Sequence, residues 1–533
     1  MRVLRQFFLG HQAKQFFWLT VCITLFVKIW IAAFFPMTSD EAFFHEWANH
    51  LNYGYYDHPP MIGWWLWLLT SMSHKPFVIR SVSVLLTTVI ALLMVYLANR
   101  LKICEDEQRI WWAAAIYLSL PVSWFAVFVT TDTPLIVLMT LSIVVYALAI
   151  RRDSVAGVVL AGVLLGLAFL SKYFAVILGC ALGVHAFTQA RRWRYLLALL
   201  CGALPFIAIN LVYNALNCWN NIMFNLVNRH DDARLNGFTV LGYLAMLIYV
   251  LTPWVIVVIV RGFCKQRLKQ NHVALWLLVA VPLMVFLLIS FTKTVGLHWV
   301  LGFIPLVFVL LCNLTHSEQL KRLWYFNTIW SLPHLFIFAV LIHAPAASIQ
   351  SVLQRFGIQA QQAEEFKIDI HFHRNMPAIL NDLKTQMPPG SLLTTTAYSP
   401  AALMSYHYGQ VVPVFGPGSY HARNDDVFVN WREHDQQTVW IVSKIKPIDV
   451  SSHAQFFSTY QVFFRTIHGV PFWIFQGEHF NYAQFRQVHL QTAVNRYYQI
   501  PHGLPILGCP FAEKYGFQEQ CRVGDLGIFE RFR

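Results

Sequence analysis

The residue types that could do chemistry gather early in this chain. Asp40 and Glu41 stand side by side, and His45, Glu46, His50, Asp57 and His58 follow before the breaker Pro59-Pro60. Only 12% of the chain is charged, so this density sets the stretch apart. Adjacent carboxylates at a membrane boundary are a residue type that can serve in general acid–base chemistry. The same residues offer donors for a divalent ion, with His45, Asp40 and Glu41 as the candidate ligands. Their spacing matches no established metal template, so a metal cofactor stays an open alternative. A plainer role also fits, in which Ser39 or Asp40 caps a short interfacial helix. Trp47, Tyr53, Tyr55 and Tyr56 would then sit at the lipid headgroups.

The elements that must position this stretch are membrane helices. The run Gln15–Phe35 is long enough to cross a bilayer and ends at Pro36, so Asp40 and Glu41 emerge at the membrane surface. Across 533 residues the composition is 57% hydrophobic and 16% aromatic, and mean hydropathy is +0.50. These values describe a polytopic α-helical membrane protein. Apolar runs of roughly 18 to 22 residues give about eleven spans. They lie near 15–35, 76–98, 110–130, 134–150, 155–171, 173–190, 195–213, 239–260, 272–291, 297–313 and 324–342.

Basic residues fix the orientation. Arg2 and Arg5, Arg100 and Lys102, Arg151 and Arg152, Arg191 and Arg192, Arg261 and Lys265, and Lys321 and Arg322 all fall on one side of that span count. That side is cytoplasmic by the positive-inside rule. The net charge of +13 is therefore a topology signal and gives no reason to expect a nucleic-acid partner. The outward loop 36–75 and the tail beyond residue 343 then lie on the opposite, outer side of the membrane. In that tail, shorter apolar runs at Ser391–Thr396, Val411–Phe415, Thr438–Ser443 and Gln461–Ile467 read as strands. Helical signals at Pro377–Lys384 and Pro400–Tyr408 complete an α/β extracytoplasmic domain, 344–533, after a membrane domain, 1–343.

Other outward polar residues are candidates to join the Asp40 loop. Asp132 precedes Pro134 at the start of a span, where it serves equally as helix punctuation or as a ligand-orienting carboxylate. Lys172, in Ser171-Lys172-Tyr173, places a cation on the outer side against the charge bias, by snorkelling or to meet a lipid phosphate. Arg229 lies in a loop with Asp231 and Asp232, which could pair with it locally. Lys293 is a further outward cation. No P-loop, Rossmann fingerprint or His-Glu-x-x-His is present.

The paired segments Asp40-Glu41-Ala42 and Tyr55-Tyr56-Asp57-His58-Pro59-Pro60 resemble the polyprenyl-phosphate-sugar-dependent glycosyltransferases of the GT-C class. Protein mannosyltransferases and the lipid A aminoarabinose transferase belong to that class. The likeness extends through about residue 310, taking in the Asp132-Thr133-Pro134 start and the Leu170–Tyr173 turn. It departs from the aminoarabinose branch at Phe43 and His58, where basic residues are usual. The resemblance implies a GT-C-like fold and an inverting transfer of a sugar from a polyprenyl-phosphate donor to a glycan, lipid or protein acceptor. It also implies roles: Asp40 as base, Glu41, Asp57 and His58 around acceptor or sugar, and Lys172 with Arg229 or Lys293 on the phosphate. A transporter or lipid flippase is the alternative, and it would require ionisable groups within several spans, of which Lys28 is the main one.

Nine cysteines show no CxxC spacing. Cys509 and Cys521 lie in the tail, and an oxidising compartment would favour a bridge between them.

Overall fold

A computed structural model describes residues 2–226, 235–265, 273–416, 418–500 and 503–521. The chain separates into two units. One comprises Met1–Phe35, Leu69–Ile209 and Ala233–Phe338, the other Pro36–Leu68, Asn210–Asp232 and Ala339–Arg533.

The first unit is helical throughout. All eleven apolar segments read from the sequence contain helix. Among the described residues, five helices are long and apolar enough to cross a bilayer: Gln12–Phe34, Pro76–Leu101, Asp132–Arg151, Arg192–Leu216 and Ser317–His343. A sixth crossing is possible if Gly237–Leu251 and Pro253–Gly262, bent by 94° at the break, count as one span. Val155–Phe169, Ala175–Phe187 and Ile304–Leu314 are shorter. The expected span 110–130 is two pieces, Glu107–Leu118 and Pro121–Phe125. Pro121 is the reason, because it lacks an N–H and starts a new helix as its first residue.

Buried polar ties help hold helices together in this unit. Lys28 is fully buried and donates to Thr87 Oγ1 at 2.6 Å. Arg80 is also fully buried and donates to Phe35 O at 2.7 Å and Ala32 O at 3.3 Å. Those carbonyls end the first helix, where no intrahelical donor remains for them. Small residues add to this: a Cβ on Gly162 would collide with Leu199 O, so only glycine lets these two backbones approach so closely.

The second unit combines helices with a four-stranded sheet of order β1-β2-β4-β3. β1 is Leu392–Thr395, β2 Val439–Lys444, β3 Thr459–Ile467 and β4 Val470–Glu478. β1 runs parallel to β2, pairing Leu393 with Trp440. The β2–β4 and β3–β4 pairs are antiparallel, with Val442 opposite Ile474 and Val462 opposite Phe475. The expected strand 411–415 contributes only an isolated bridge from Val414 to Thr395. β4 was not expected. It pairs with both β2 and β3, and Phe472, Ile474 and Phe475 are buried; Phe472-Trp473-Ile474-Phe475 is an unbroken apolar run, so the sequence shows none of the alternation that marks a half-exposed strand. The turn into it, His468-Gly469, takes left-handed φ values of 48° and 81°.

The bridge expected between Cys509 and Cys521 is replaced by one between Cys509 and Cys218, whose Cα atoms are 4.8 Å apart. The backbone explains the choice. Leu507 N donates to Ala215 O at 2.8 Å and Cys218 N to Gly508 O at 3.2 Å, so the two segments are already side by side. Cys521 is a buried free thiol with its Sγ 3.8 Å from that of Cys509.

Candidate active site

The helix Ser39–Asn49 presents the paired carboxylates, and its cap separates their roles. The N-cap is Thr38, not Ser39 or Asp40. Thr38 Oγ1 accepts from Glu41 N, and Glu41 Oε2 accepts from Thr38 N at 3.2 Å and from Thr38 Oγ1 at 2.9 Å. This reciprocal box follows from the Thr-x-x-Glu spacing. Glu41 is thereby fully buried and held by the helix start, whereas Asp40 beside it is exposed. Although part of its surface is exposed, the protein packed around the Asp40 carboxyl partly desolvates it and raises its pKa. His421 pulls it down more than any other charge, Glu41 pushes it up, and His58 and Asp57 add smaller opposing effects.

The loop from Tyr53 to Pro60 turns back under this helix. Tyr55 N donates to His58 O at 3.0 Å, and Tyr55 Oη donates to Trp47 O at 2.7 Å with the two rings stacked at 4.3 Å. Gly54 is required here, because a Cβ would enter the Tyr213 ring. Trp47, Tyr55 and Tyr56 are buried in protein, in place of the headgroup setting expected for them, and only Tyr53 is well exposed. Asn221 Nδ2 donates to Tyr55 O at 2.8 Å and Asn225 Nδ2 to Asp57 O at 3.0 Å. The Cys218–Cys509 bridge pins the segment that carries both asparagines.

Asp57 is the centre of the polar network. Its carboxylate is buried, and Oδ2 accepts from His421 Nδ1 at 2.8 Å, with His58 Nδ1 at 3.5 Å from the same oxygen. Burial alone would raise its pKa. The nearby charge of His58 and the hydrogen bond from His421 outweigh that, holding Asp57 well below the usual carboxylate range. His421 stands on a 3₁₀ turn, Tyr420–Ala422, that neighbouring residues fix in place. Tyr56 N donates to Asn424 Oδ1 at 3.0 Å, Tyr498 Oη donates to Arg423 O at 3.2 Å, and Arg423 is ion-paired with Asp426. Sequence reasoning missed His421, because a single tail histidine, 364 residues from Asp57, carries no local pattern.

The remaining candidates fall as follows. His45 is buried edge-on against Tyr406, ring centroids 4.9 Å apart. Among the described residues no group of three or more His, Cys, Asp or Glu is arranged to hold a metal ion. In the other unit, Asp132 and Lys172 are paired: Lys172 Nζ lies 3.0 and 2.9 Å from the two Asp132 oxygens, and both side chains are buried. Lys293 is half-buried in the turn after the helix Val273–Ser290. Arg229 lies outside the described residues.

Known proteins resemble this one in sequence and in fold. Residues 57–213 match the family described as dolichyl-phosphate-mannose-protein mannosyltransferase. A lipid A galacturonosyltransferase, RgtD, from Rhizobium johnstonii is 27% identical over 274 residues, 48% of this chain and 55% of that protein. The chain thus spans about half the length of that curated relative. The fold matches ArnT from Cupriavidus metallidurans in its apo state with a TM-score of 0.61 at 14% identity, covering 87% of this chain and 98% of that one. The same protein bound to undecaprenyl phosphate gives 0.59 at 14% identity, covering 86% and 97%. This chain is a multi-pass membrane protein with an ArnT-like fold, and its residues 57–213 match the dolichyl-phosphate-mannose-protein mannosyltransferase family.

Proposed function

We propose that this chain is an inverting membrane glycosyltransferase that moves a sugar from a polyprenyl-phosphate donor to an acceptor on the outer face of the inner membrane. One observation carries the reading. Of the two adjacent carboxylates, Glu41 is consumed by the helix cap and Asp40 is left outward with a raised pKa beside His421, His58 and Asp57. A base needs that combination of access and raised proton affinity.

The bond changes are few. The acceptor oxygen attacks the anomeric carbon while its proton passes to Asp40. The bond to phosphate breaks on the opposite face, and its electron pair leaves with the phosphate oxygen. That leaving charge needs cations. Lys172, Lys293 and Arg229 are the candidates, with Asp132 holding Lys172 in place. The similarity to a lipid A galacturonosyltransferase and to an undecaprenyl-phosphate-binding protein favours a bacterial lipid carrier and a glycolipid acceptor of the lipid A type. The tail and the Asp40 loop would face the periplasm.

A flippase reading gains little, since the buried Lys28 is bonded to Thr87 and ties two helices together. The test is transfer of labelled sugar from synthetic polyprenyl-phosphate donors to lipid A by the purified chain, with transport across vesicles measured in parallel. Transfer without transport is expected. Transport without transfer would overturn the reading.

A further inference from the structure

The basic clusters that orient the chain do more than share one side of the membrane: three of them meet. We propose that the turns ending the helices Pro76–Leu101 and Asp132–Arg151, with the turn opening the helix Arg192–Leu216, form a binding site for the headgroup of an anionic phospholipid. The site lies within one unit and is independent of the transferase reading above.

Three observations support it. The first is that the turns are tied together. Arg151 Nη1 donates to the carbonyl of Arg100. Two residues on, Asp153 is ion-paired with Arg191, Nη1 to Oδ2 at 2.5 Å, and accepts from Tyr195 Oη. The positive-inside rule asks each loop to be basic; it does not ask the loops to be bonded to one another.

The second is the charge balance. Residues 96–102 carry Arg100 and Lys102, residues 149–154 carry Arg151 and Arg152, and residues 187–195 carry Arg191, Arg192 and Arg194. Asp153 is the one carboxylate in these three stretches, and all seven cations are exposed. Beyond Lys102, Asp106 is engaged by Arg109 at 3.3 Å and by Ser317 at 2.6 Å, and Glu107 by Trp111 at 3.0 Å, while Glu105 is exposed. Helix dipoles account for the cations at the two C-terminal ends. Arg191, Arg192 and Arg194 stand instead at a helix start, where the dipole repels them and favours an anion. A lipid phosphate held between the turns is the counter-charge they lack, and arginine is suited to bind it with two hydrogen bonds.

The third is depth. Arg100 lies over the ring of Tyr96 at 5.3 Å and Arg192 over that of Phe187 at 5.1 Å, with Trp193 edge-on to Phe187 at 6.1 Å. All three rings are exposed. Exposed aromatic rings at the ends of membrane helices mark the headgroup level, so the cations paired with them stand at the height of the lipid phosphates.

The test is native mass spectrometry and lipid titration of the full-length protein, delipidated in neutral detergent, with phosphatidylglycerol, phosphatidylcholine and inorganic phosphate as probes. The wild type should bind phosphatidylglycerol at least about 20-fold tighter than phosphatidylcholine at low salt, and the preference should shrink as salt rises. Arg192→Gln with Arg194→Gln removes two cations, each worth about fivefold at an anionic surface, and should weaken phosphatidylglycerol about 25-fold. Arg261→Gln with Lys265→Gln removes the same charge from another basic cluster and should change binding by less than about twofold. Matching thermal midpoints in phosphatidylcholine show that the variants are folded. If the Arg192 and Arg194 pair does not fold, Arg152→Gln decides, with a loss of about fivefold expected. Equal losses in the two double variants would mean diffuse surface charge and overturn the site, as would equal binding of the two lipids. Displacement of phosphatidylglycerol by an equal concentration of inorganic phosphate would assign the turns to a soluble phosphate compound and overturn the lipid.

Discussion

Cys218 and Cys509 are joined although 291 residues separate them, and the bridge ties the segment that holds Asp57 to the C-terminal tail. The consequence for the free thiol is specific. Peptide mapping without reduction should recover a Cys218–Cys509 link, with Cys521 alkylated only after unfolding. In Cys218→Ser, Cys509 is left 3.8 Å from Cys521, and a Cys509–Cys521 link should appear instead. Loss of the native bridge should cost about 2–5 kcal/mol, read as a lower thermal midpoint in detergent. A Cys509–Cys521 link in the wild-type protein would contradict the account.

The cap divides labour between neighbours. Glu41→Gln keeps a side chain able to complete the box, so transfer should fall by less than about tenfold, whereas Thr38→Ala should destabilise the helix start by about 1 kcal/mol. Thermal unfolding and initial rates check both. A Glu41→Gln loss of 100-fold or more would make Glu41 a reacting group.

The Asp132–Lys172 pair should show non-additivity. Lys172→Ala strands the buried Asp132 carboxylate, at a cost of about 3–5 kcal/mol, while the double substitution Asp132→Leu with Lys172→Met should be milder. The donor KM should rise in Lys172→Ala if this lysine also meets the phosphate. Additive losses in the double variant would mean the two side chains do not share one interaction.

The pH dependence has a definite sign. Asp40 must be ionised to act, and its pKa is raised, so activity should fall as pH drops through that elevated value. His421 lowers the Asp40 pKa, so His421→Gln should move the acid limb to higher pH, while Glu41 and Asp57, which push the other way, are still present. A limb that stays put or moves to lower pH contradicts the assignment.

The sequence exposed what local chemistry controls. The Asp40 stretch stands out because ionisable residues are dense there in a chain where charge is scarce, and the apolar segments because their length answers to the bilayer. Asp132 and Lys172 were legible one by one, but not as a pair, since only helix packing brings them together. His421 and Cys218 could not be read at all, because each meets its partner across more than 280 residues of chain. The cap was misread by one or two positions: Thr38 wins because Glu41 stands three residues on, which Ser39 and Asp40 lack.

The central claim is that Asp40 is the base, and Asp40→Asn tests it most directly. The substitution keeps the shape of the side chain and removes its proton affinity. Purified variant and wild type would be compared for labelled-sugar transfer from a polyprenyl-phosphate donor at the same pH, after matching their thermal midpoints. The account predicts a loss on the order of 100-fold or more in kcat with folding intact. Turnover within a few-fold of wild type would contradict it.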